Sequence, residues 1–315
     1  MIGRHGRRRS ASHSGPWSAL GVLLVLAVVG PLLVTDSGPL VPTVTAASTA
    51  PLTEVAPAVP PDIPEPPPPP QRGLAQAAVD AAEQRASSGT ELGVAVLDRT
   101  TDELAVGSLG HERFYTASLA KLIVIVDVLE RRRTEGLQVT DADLQLFARA
   151  LGPSDDTAMS ALWERFDGAG APARVSARLG LEGTSAPRRT GQWGEVEVTA
   201  VDYATLWRYV LDDMPEDDRN LLLSDMATAP ATARDGFDQA FGLLSPDIRD
   251  GYRTFAKQGW MCCFSGRYYL HSAGTVGPEK RFVVVMLTRQ PRTQGWPATR
   301  DEVTGIATRA VAALG

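Results

Sequence analysis

The sequence predicts an α+β (α/β) domain over residues 73–315: an antiparallel sheet built from both ends of the domain, covered by helices, with a helical subdomain inserted. Three observations carry this. Strand patterns occur at 92–106 and return only at 254–289. Helical patterns separated by Gly and Pro breaks fill the interval 141–240. Strong helix formers open and close the domain.

The elements follow in order. Residues 74–86, rich in Ala, Leu, Gln and Glu, form a helix because these side chains lose little freedom in one. Apolar runs at 92–98 and 103–106, joined by a polar turn, read as a hairpin. A helix begins near Ser118 and continues through Glu130. Its first three turns are apolar on nearly every side, which predicts a central helix wrapped by others. Further helices are expected at 141–150, 155–165, 171–179, 199–212 and 217–227, each ended by a Gly, Pro or polar break. Strands are expected at 254–260, 267–272 and 281–289, and a last helix at 299–313. There is no internal repeat.

Ahead of the domain lie three segments of different composition. Residues 1–16 hold the cluster Arg4, Arg7, Arg8 and Arg9, and residues 17–34 are apolar. A run of that length is slightly short of the roughly 20 residues that span a bilayer, a gap that local thinning closes. Positive charge before it places the N-terminal side in the cytoplasm and the bulk of the chain outside, with the membrane as partner. The expectation is an uncleaved single-pass anchor; a signal segment cut near Val44-Thr45-Ala46 is the alternative, giving a secreted protein. No cysteine precedes Cys262, so the run is not followed by a site for N-terminal lipidation. Residues 35–72 are rich in Pro and Ala and end in a proline run, which makes a semi-rigid extended linker; a ligand for a proline-recognising domain is the other use of such a stretch.

Composition narrows the function. The 315-residue chain has a net charge of −6, and removing the arginine-rich N-terminus leaves the domain more acidic still. A nucleic-acid binder would carry a basic face, so no nucleic-acid partner is expected. Two cysteines and four histidines, two of them within the first fifteen residues, exclude a disulfide scaffold or a Cys-based zinc cluster. No metal and no cofactor are expected.

The segment Phe114-Tyr115-Thr116-Ala117-Ser118-Leu119-Ala120-Lys121 carries the most chemistry. A serine hydroxyl is a poor nucleophile until a neighbour takes its proton. Three residues of helix put Ser118 and Lys121 on one face. The unpaired N–H groups and dipole of a helix start favour an oxyanion and disfavour a charged lysine. Burial among Leu119, Ala120, Leu122 and Ile123 pushes the same way, toward the neutral amine that a base requires. A capping serine followed by a surface lysine is the plain alternative.

Two later segments strengthen the catalytic reading: Pro153-Ser154-Asp155-Asp156 at a loop-to-helix junction, and Ala256-Lys257-Gln258-Gly259-Trp260 on a predicted strand. Together the three resemble the S-x-x-K, S-D-N and K-T-G elements of the penicillin-recognising serine enzymes, the class A β-lactamases and D,D-peptidases. The resemblance spans most of 74–315 and extends to Gly191-Gln192-Trp193-Gly194 and the helix start after Val198; the short first interval implies a trimmed helical subdomain. It implies that Ser118 is acylated, that Lys121 is its base and that Ser154 passes a proton to the leaving nitrogen. Lys257 would supply positive potential, and the backbone N–H groups of Ser118 and Trp260 would hold the oxyanion. Asp156, Gln258, Gly259 and Trp260 would contact substrate, Gly259 by leaving room along the strand edge.

Three departures are visible. Asp156 replaces an asparagine, and a carboxylate cannot donate to a substrate carbonyl. Gln258 replaces a hydroxyl residue. No E-x-x-L-N-like sequence lies between 180 and 198, where Glu182, Glu195 and Glu197 are the available carboxylates. Slow deacylation is therefore expected.

Among other residues, Cys262 and Cys263 either close a vicinal disulfide or remain two buried thiols, the latter being the simpler expectation. His271, on a strand and without a G-x-S-x-G elbow elsewhere, reads as structural or rim. Trp193, Trp260 and Tyr268 read as core or cleft-wall aromatics. The leading expectation is a membrane-tethered, extracytoplasmic serine hydrolase acting on a cell-wall peptide, a β-lactam or a related small amide. The alternative is a weak or inactive domain of the same fold that binds wall peptide or a protein partner.

Overall fold

A computed structural model describes residues 71–315. The basic segment, the apolar run and all but the end of the linker fall outside the described residues. Among the described residues, no helix is long and apolar enough to cross a membrane.

The centre is a five-stranded antiparallel sheet. Its strands are β1 (Glu91–Asp98), β2 (Glu103–Val106), β5 (Phe255–Phe264), β6 (Arg267–Val276) and β7 (Phe282–Pro291), in the order β2-β1-β7-β6-β5. β1 therefore pairs with β7, Val94 opposite Met286 and Leu97 opposite Val283, which joins the two ends of the domain in one sheet. That is the predicted topology. The last three strands extend past the sequence pattern at their C-terminal ends, to Phe264, Val276 and Pro291, because ladder pairing between β5, β6 and β7 continues there.

Strand periodicity sorts the core into two layers. Val94, Val96, Val284 and Met286 face α1 (Leu74–Arg85) and α9 (Gly295–Ala312), meeting Val79, Ile306 and Ala310. Ala95, Leu97, Val283, Val285 and Leu287 face the opposite way, into the core around α2 (Ala120–Glu135). Every residue of α2 from Ala120 to Glu130 is buried; apolar side chains fill most of its faces, and Asp127 and Glu130 are buried against Arg174 and Arg178. Gly136, at φ 70°, ends it in a left-handed turn.

Around α2 stand α3 (Asp141–Leu151), α4 (Asp156–Arg165), α5 (Ala171–Leu179), α6 (Ala200–Arg208) and α7 (Glu216–Ala227). Their starts are chemically marked. Thr140 and Asp143 form a capping box on α3, Asp155 accepts from Thr157 and Ala158 at the head of α4, and Thr199 accepts from Asp202 at the head of α6. The helix expected over 199–212 departs from the α-helical pattern at Tyr209–Asp213, where it widens into a π turn. Three short elements had no periodicity long enough to read: the paired β3 (Phe114–Tyr115) and β4 (Glu197–Val198), and α8 (Pro246–Tyr252).

Candidate active site

Ser118 sits in a 3-10 turn, Ala117–Leu119, that runs directly into α2. The α-helix proper starts at Ala120, two residues later than the sequence suggests. Ala117 is held at φ 46°, in the left-handed region that costs a non-glycine residue roughly 1–2 kcal/mol. Neighbouring elements fix it there. Thr116 N–H donates to Val196 O at 2.7 Å, Leu119 N–H to Thr116 O at 3.0 Å, and the Tyr203 hydroxyl to Leu119 O at 3.1 Å. Strained backbone held by its surroundings is a common property of functional turns.

The second serine is held in a similar way. Ser154 has φ 58° in the loop between α3 and α4. Asp155, just after it, caps α4 and accepts from Arg149, so its carboxyl lies below the ordinary carboxylate range despite the opposing effect of burial.

Two amines meet these hydroxyls. Lys121 Nζ lies within hydrogen-bond distance of four oxygens: Ser118 Oγ at 2.7 Å, Ser154 O at 2.9 Å, Ser154 Oγ at 3.1 Å and Asp156 Oδ1 at 2.7 Å. Lys257, from β5, donates to Ser154 Oγ at 2.8 Å and to Gln258 O at 2.9 Å. Ser118, Lys121, Ser154 and Lys257, predicted from three distant stretches, therefore converge, and all four are buried. Burial pushes the Lys121 amine below its ordinary value, while the charge of Asp156, its hydrogen bond and the charges of Asp235 and Asp155 pull it back up. Lys257 is pushed well below its ordinary value, by burial first and then by repulsion from Lys121.

Asp156 is in the crevice as an ion-pair partner of Lys121, with its side chain 58% exposed. Trp260 is half-buried; its indole donates to Asp235 Oδ2 at 3.0 Å and stacks on Phe237, with ring centroids 4.7 Å apart. β5 is the sheet's outer strand on this side, so one of its backbone edges has no strand partner in the sheet.

Two of the expected substrate contacts are corrected. Gln258 is fully buried, and its Nε2 donates to Phe241 O. Strand alternation turns it away from Lys257, so it does not replace the hydroxyl that would meet a substrate. Gly259 leaves room for the protein itself: a Cβ there would lie 2.8 Å from Thr116 O and 3.2 Å from Leu119 Cγ. Its missing side chain lets β5 pass close under the Ser118 turn.

The other candidates resolve as follows. Glu195 pairs with Arg189, the Glu197 carboxylate accepts from Ser185 Oγ, and Glu182 is exposed with its carbonyl on Arg113, so these carboxylates are engaged or exposed without a contact to Ser118. In their stead Trp193 places its indole centroid 4.9 Å from Lys121 Nζ. His271 is a core residue: Nδ1 accepts from Thr288 N–H and Nε2 donates to Tyr115 O, while burial pushes its pKa down to about 4. Cys262 and Cys263 lie with their sulfurs side by side, Cys262 exposed and Cys263 half-buried, so they are not two buried thiols.

Two residues near the amines were not singled out for the site, Asp235 and, as a neighbour of Lys121, Trp193. One signal did exist for the amines. The chain has three lysines, at 121, 257 and 280, among 31 basic residues, and two of the three converge here. Arginine stays charged at any workable pH and cannot act as a base, so the few lysines of an arginine-rich chain are the first places to look for a basic amine.

No family profile matches the chain. The LppW proteins of Mycobacterium tuberculosis and Mycobacterium bovis, by name lipoproteins, are each 33% identical to it over 214 residues, 67% of either chain. Among solved structures, the TLA-1 extended-spectrum β-lactamase superposes with a TM-score of 0.63 at 12% identity, covering 76% of this chain and 99% of its own. A class A β-lactamase from Bacteroides cellulosilyticus gives 0.61 at 15%, and one from Mycobacterium abscessus 0.55 at 19%, each over 76% of this chain and 98% of theirs. The predicted fold resemblance is therefore correct.

Proposed function

Since the chain belongs to the LppW family and is built on the class A β-lactamase fold, we propose that it is an extracytoplasmic serine hydrolase that forms an acyl-enzyme on Ser118. Its substrate is a cell-wall peptide, a β-lactam or a related amide. The observation that carries this reading is the hydrogen bond of 2.7 Å between Lys121 Nζ and Ser118 Oγ, inside a buried cluster that also holds Ser154 and Lys257. As Oγ attacks the carbonyl carbon, its proton passes to the neutral Lys121 amine, and the carbonyl electron pair moves onto oxygen. The backbone N–H groups of Ser118 and Trp260 stabilise that oxyanion. Ser154, bonded to both amines, delivers a proton to the leaving nitrogen, and Lys257 keeps the potential positive.

Hydrolysis of the acyl-enzyme is slow in this reading. The carboxylate beside Lys121, Asp156, is tied to it in an ion pair, and Glu182, Glu195 and Glu197 are engaged or exposed elsewhere, so no free carboxylate is positioned to activate water. A second reading, a binding domain with little turnover, is favoured by the Asp156–Lys121 ion pair, which opposes the neutral amine.

The name of LppW and the apolar run 17–34 behind its arginine cluster both support a membrane-attached protein with its domain outside the cytoplasm. In this reading the apolar run itself supplies the attachment. The full chain should sediment with membranes, and deletion of 1–34 should release it from the membrane fraction.

Incubation of the full chain with a fluorescent penicillin tests the chemistry. Covalent labelling that disappears in Ser118→Ala and lasts minutes or longer supports the hydrolase. No labelling, together with no hydrolysis of simple esters or of D-Ala-D-Ala peptides, favours the binding domain.

A further inference from the structure

Asp156 occupies an unusual place. Its Oδ1 lies 2.7 Å from Lys121 Nζ, as close as Ser118 Oγ, yet its side chain is 58% exposed while Lys121 is fully buried. A buried amine thus has its one carboxylate hydrogen-bond partner at the solvent boundary. An ammonium has no lone pair, so a Lys121 held in that form cannot receive the hydroxyl proton of Ser118.

We propose that Asp156 is a positioning residue that sets the pH at which Ser118 gains its base, by holding Lys121 in the ammonium form until that ion pair is broken. The proposal rests on the acyl-enzyme reading for its consequence in catalysis, but the ion pair itself is independent of it.

The groups around Lys121 make Asp156 the dominant control. Lys257, on β5, is the other amine in the cluster, and burial and repulsion from Lys121 push it toward the neutral form. Asp155, at the head of α4, is engaged by Arg149 and by two backbone N–H groups. Asp235 acts through space, with its oxygens on Trp260 Nε1 and Phe237 N–H. Trp193 contributes a ring face and no titratable group. Of these charged groups, only Asp156 hydrogen-bonds the amine. Without its charge, burial acts with less opposition, and the neutral amine is populated at lower pH.

The test compares the full chain with Asp156→Asn, which keeps an oxygen to accept from Nζ but removes the charge, and with Asp156→Glu, which keeps the charge. Acylation of Ser118 by p-nitrophenyl acetate is followed by intact mass between pH 5 and pH 10. In the balanced step, the Ser118 proton goes to Nζ, Oγ bonds to the acetyl carbon and p-nitrophenolate leaves. The acid limb should move to lower pH in Asp156→Asn, raising the rate on that limb about tenfold or more, as expected for loss of an adjacent opposite charge. Asp156→Glu should return it toward the parent profile.

A second measurement needs no substrate. Lysine labelled at Cε and Nζ gives signals from three residues only, with Lys280, outside the crevice, as internal control. The Lys121 signal should titrate at lower pH in Asp156→Asn. An unmoved lysine titration overturns the proposal, and so does an acid limb that fails to follow it. If Ser118 is not acylated at any pH in any variant, the acyl-enzyme reading fails, and the lysine titration alone decides what Asp156 does.

Discussion

At the scale of single residues, the chemistry comes down to which groups lose water. Ser118 and Lys121 were legible because their spacing places them on one face, and the buried surroundings that favour a neutral amine could be read from the flanking sequence. Asp156 was legible only as a missing donor. Its contact with Lys121 depends on how α4 is set against α2, which local sequence does not report. Trp193 was legible only as an aromatic, since its place over the amine depends on the turn that carries it. Two outcomes follow at this scale. Lys121→Arg retains a cation but has no accessible neutral form, so acylation should fall by about a hundredfold or more, as measured by the rate of adduct formation. Trp193→Glu puts a carboxylate where water has no activating group, so the acyl-enzyme should decay faster, read as a shorter adduct lifetime in intact mass; an unchanged lifetime would mean that another group limits hydrolysis.

At the scale of elements, the site is a product of one strand, two turns and a helix start. The sheet was readable from its period-2 runs, and its closure by both ends followed from where those runs lie. β3, β4 and α8 were not readable, because two-residue strands and a seven-residue helix carry too little periodicity to separate them from loop. The close approach of Thr116 O to Gly259 is not readable from the strand pattern, because it is a property of the packed turn. Gly259→Ala should force β5 away from the Ser118 turn, costing about 1–3 kcal/mol in denaturant unfolding and lowering acylation with it. Asp155→Ala should leave two N–H groups of α4 uncapped and free Arg149, costing about 1–2 kcal/mol. Acylation should fall beyond what that stability loss explains, because Ser154 is the preceding residue.

For the whole molecule, two buried groups give opposite pH dependence. His271 is pushed down to about 4 from 6.5, so its contribution to stability is complete above pH 6.5 and is lost as pH falls through 4. Asp225 is pushed up to about 6 from 3.8 by burial, with Oδ2 unpartnered, so its contribution is complete below 3.8 and is lost as pH rises through 6. Asp225→Asn should therefore raise stability at pH 8 by about 1 kcal/mol and give no gain at pH 3.5, read from thermal unfolding at both values. Such a domain, with two cores on either side of one sheet, gives the crevice the rigidity to keep a buried amine against a hydroxyl. Whether that amine activates the hydroxyl is the central question, and peptide-resolved mass spectrometry of the full chain after brief exposure to an activated ester at pH 9 addresses it most directly. The account predicts acyl groups on the peptide carrying Ser118 and their loss in Lys121→Arg; acylation scattered over surface residues, or equal at Ser118 in both proteins, would contradict it.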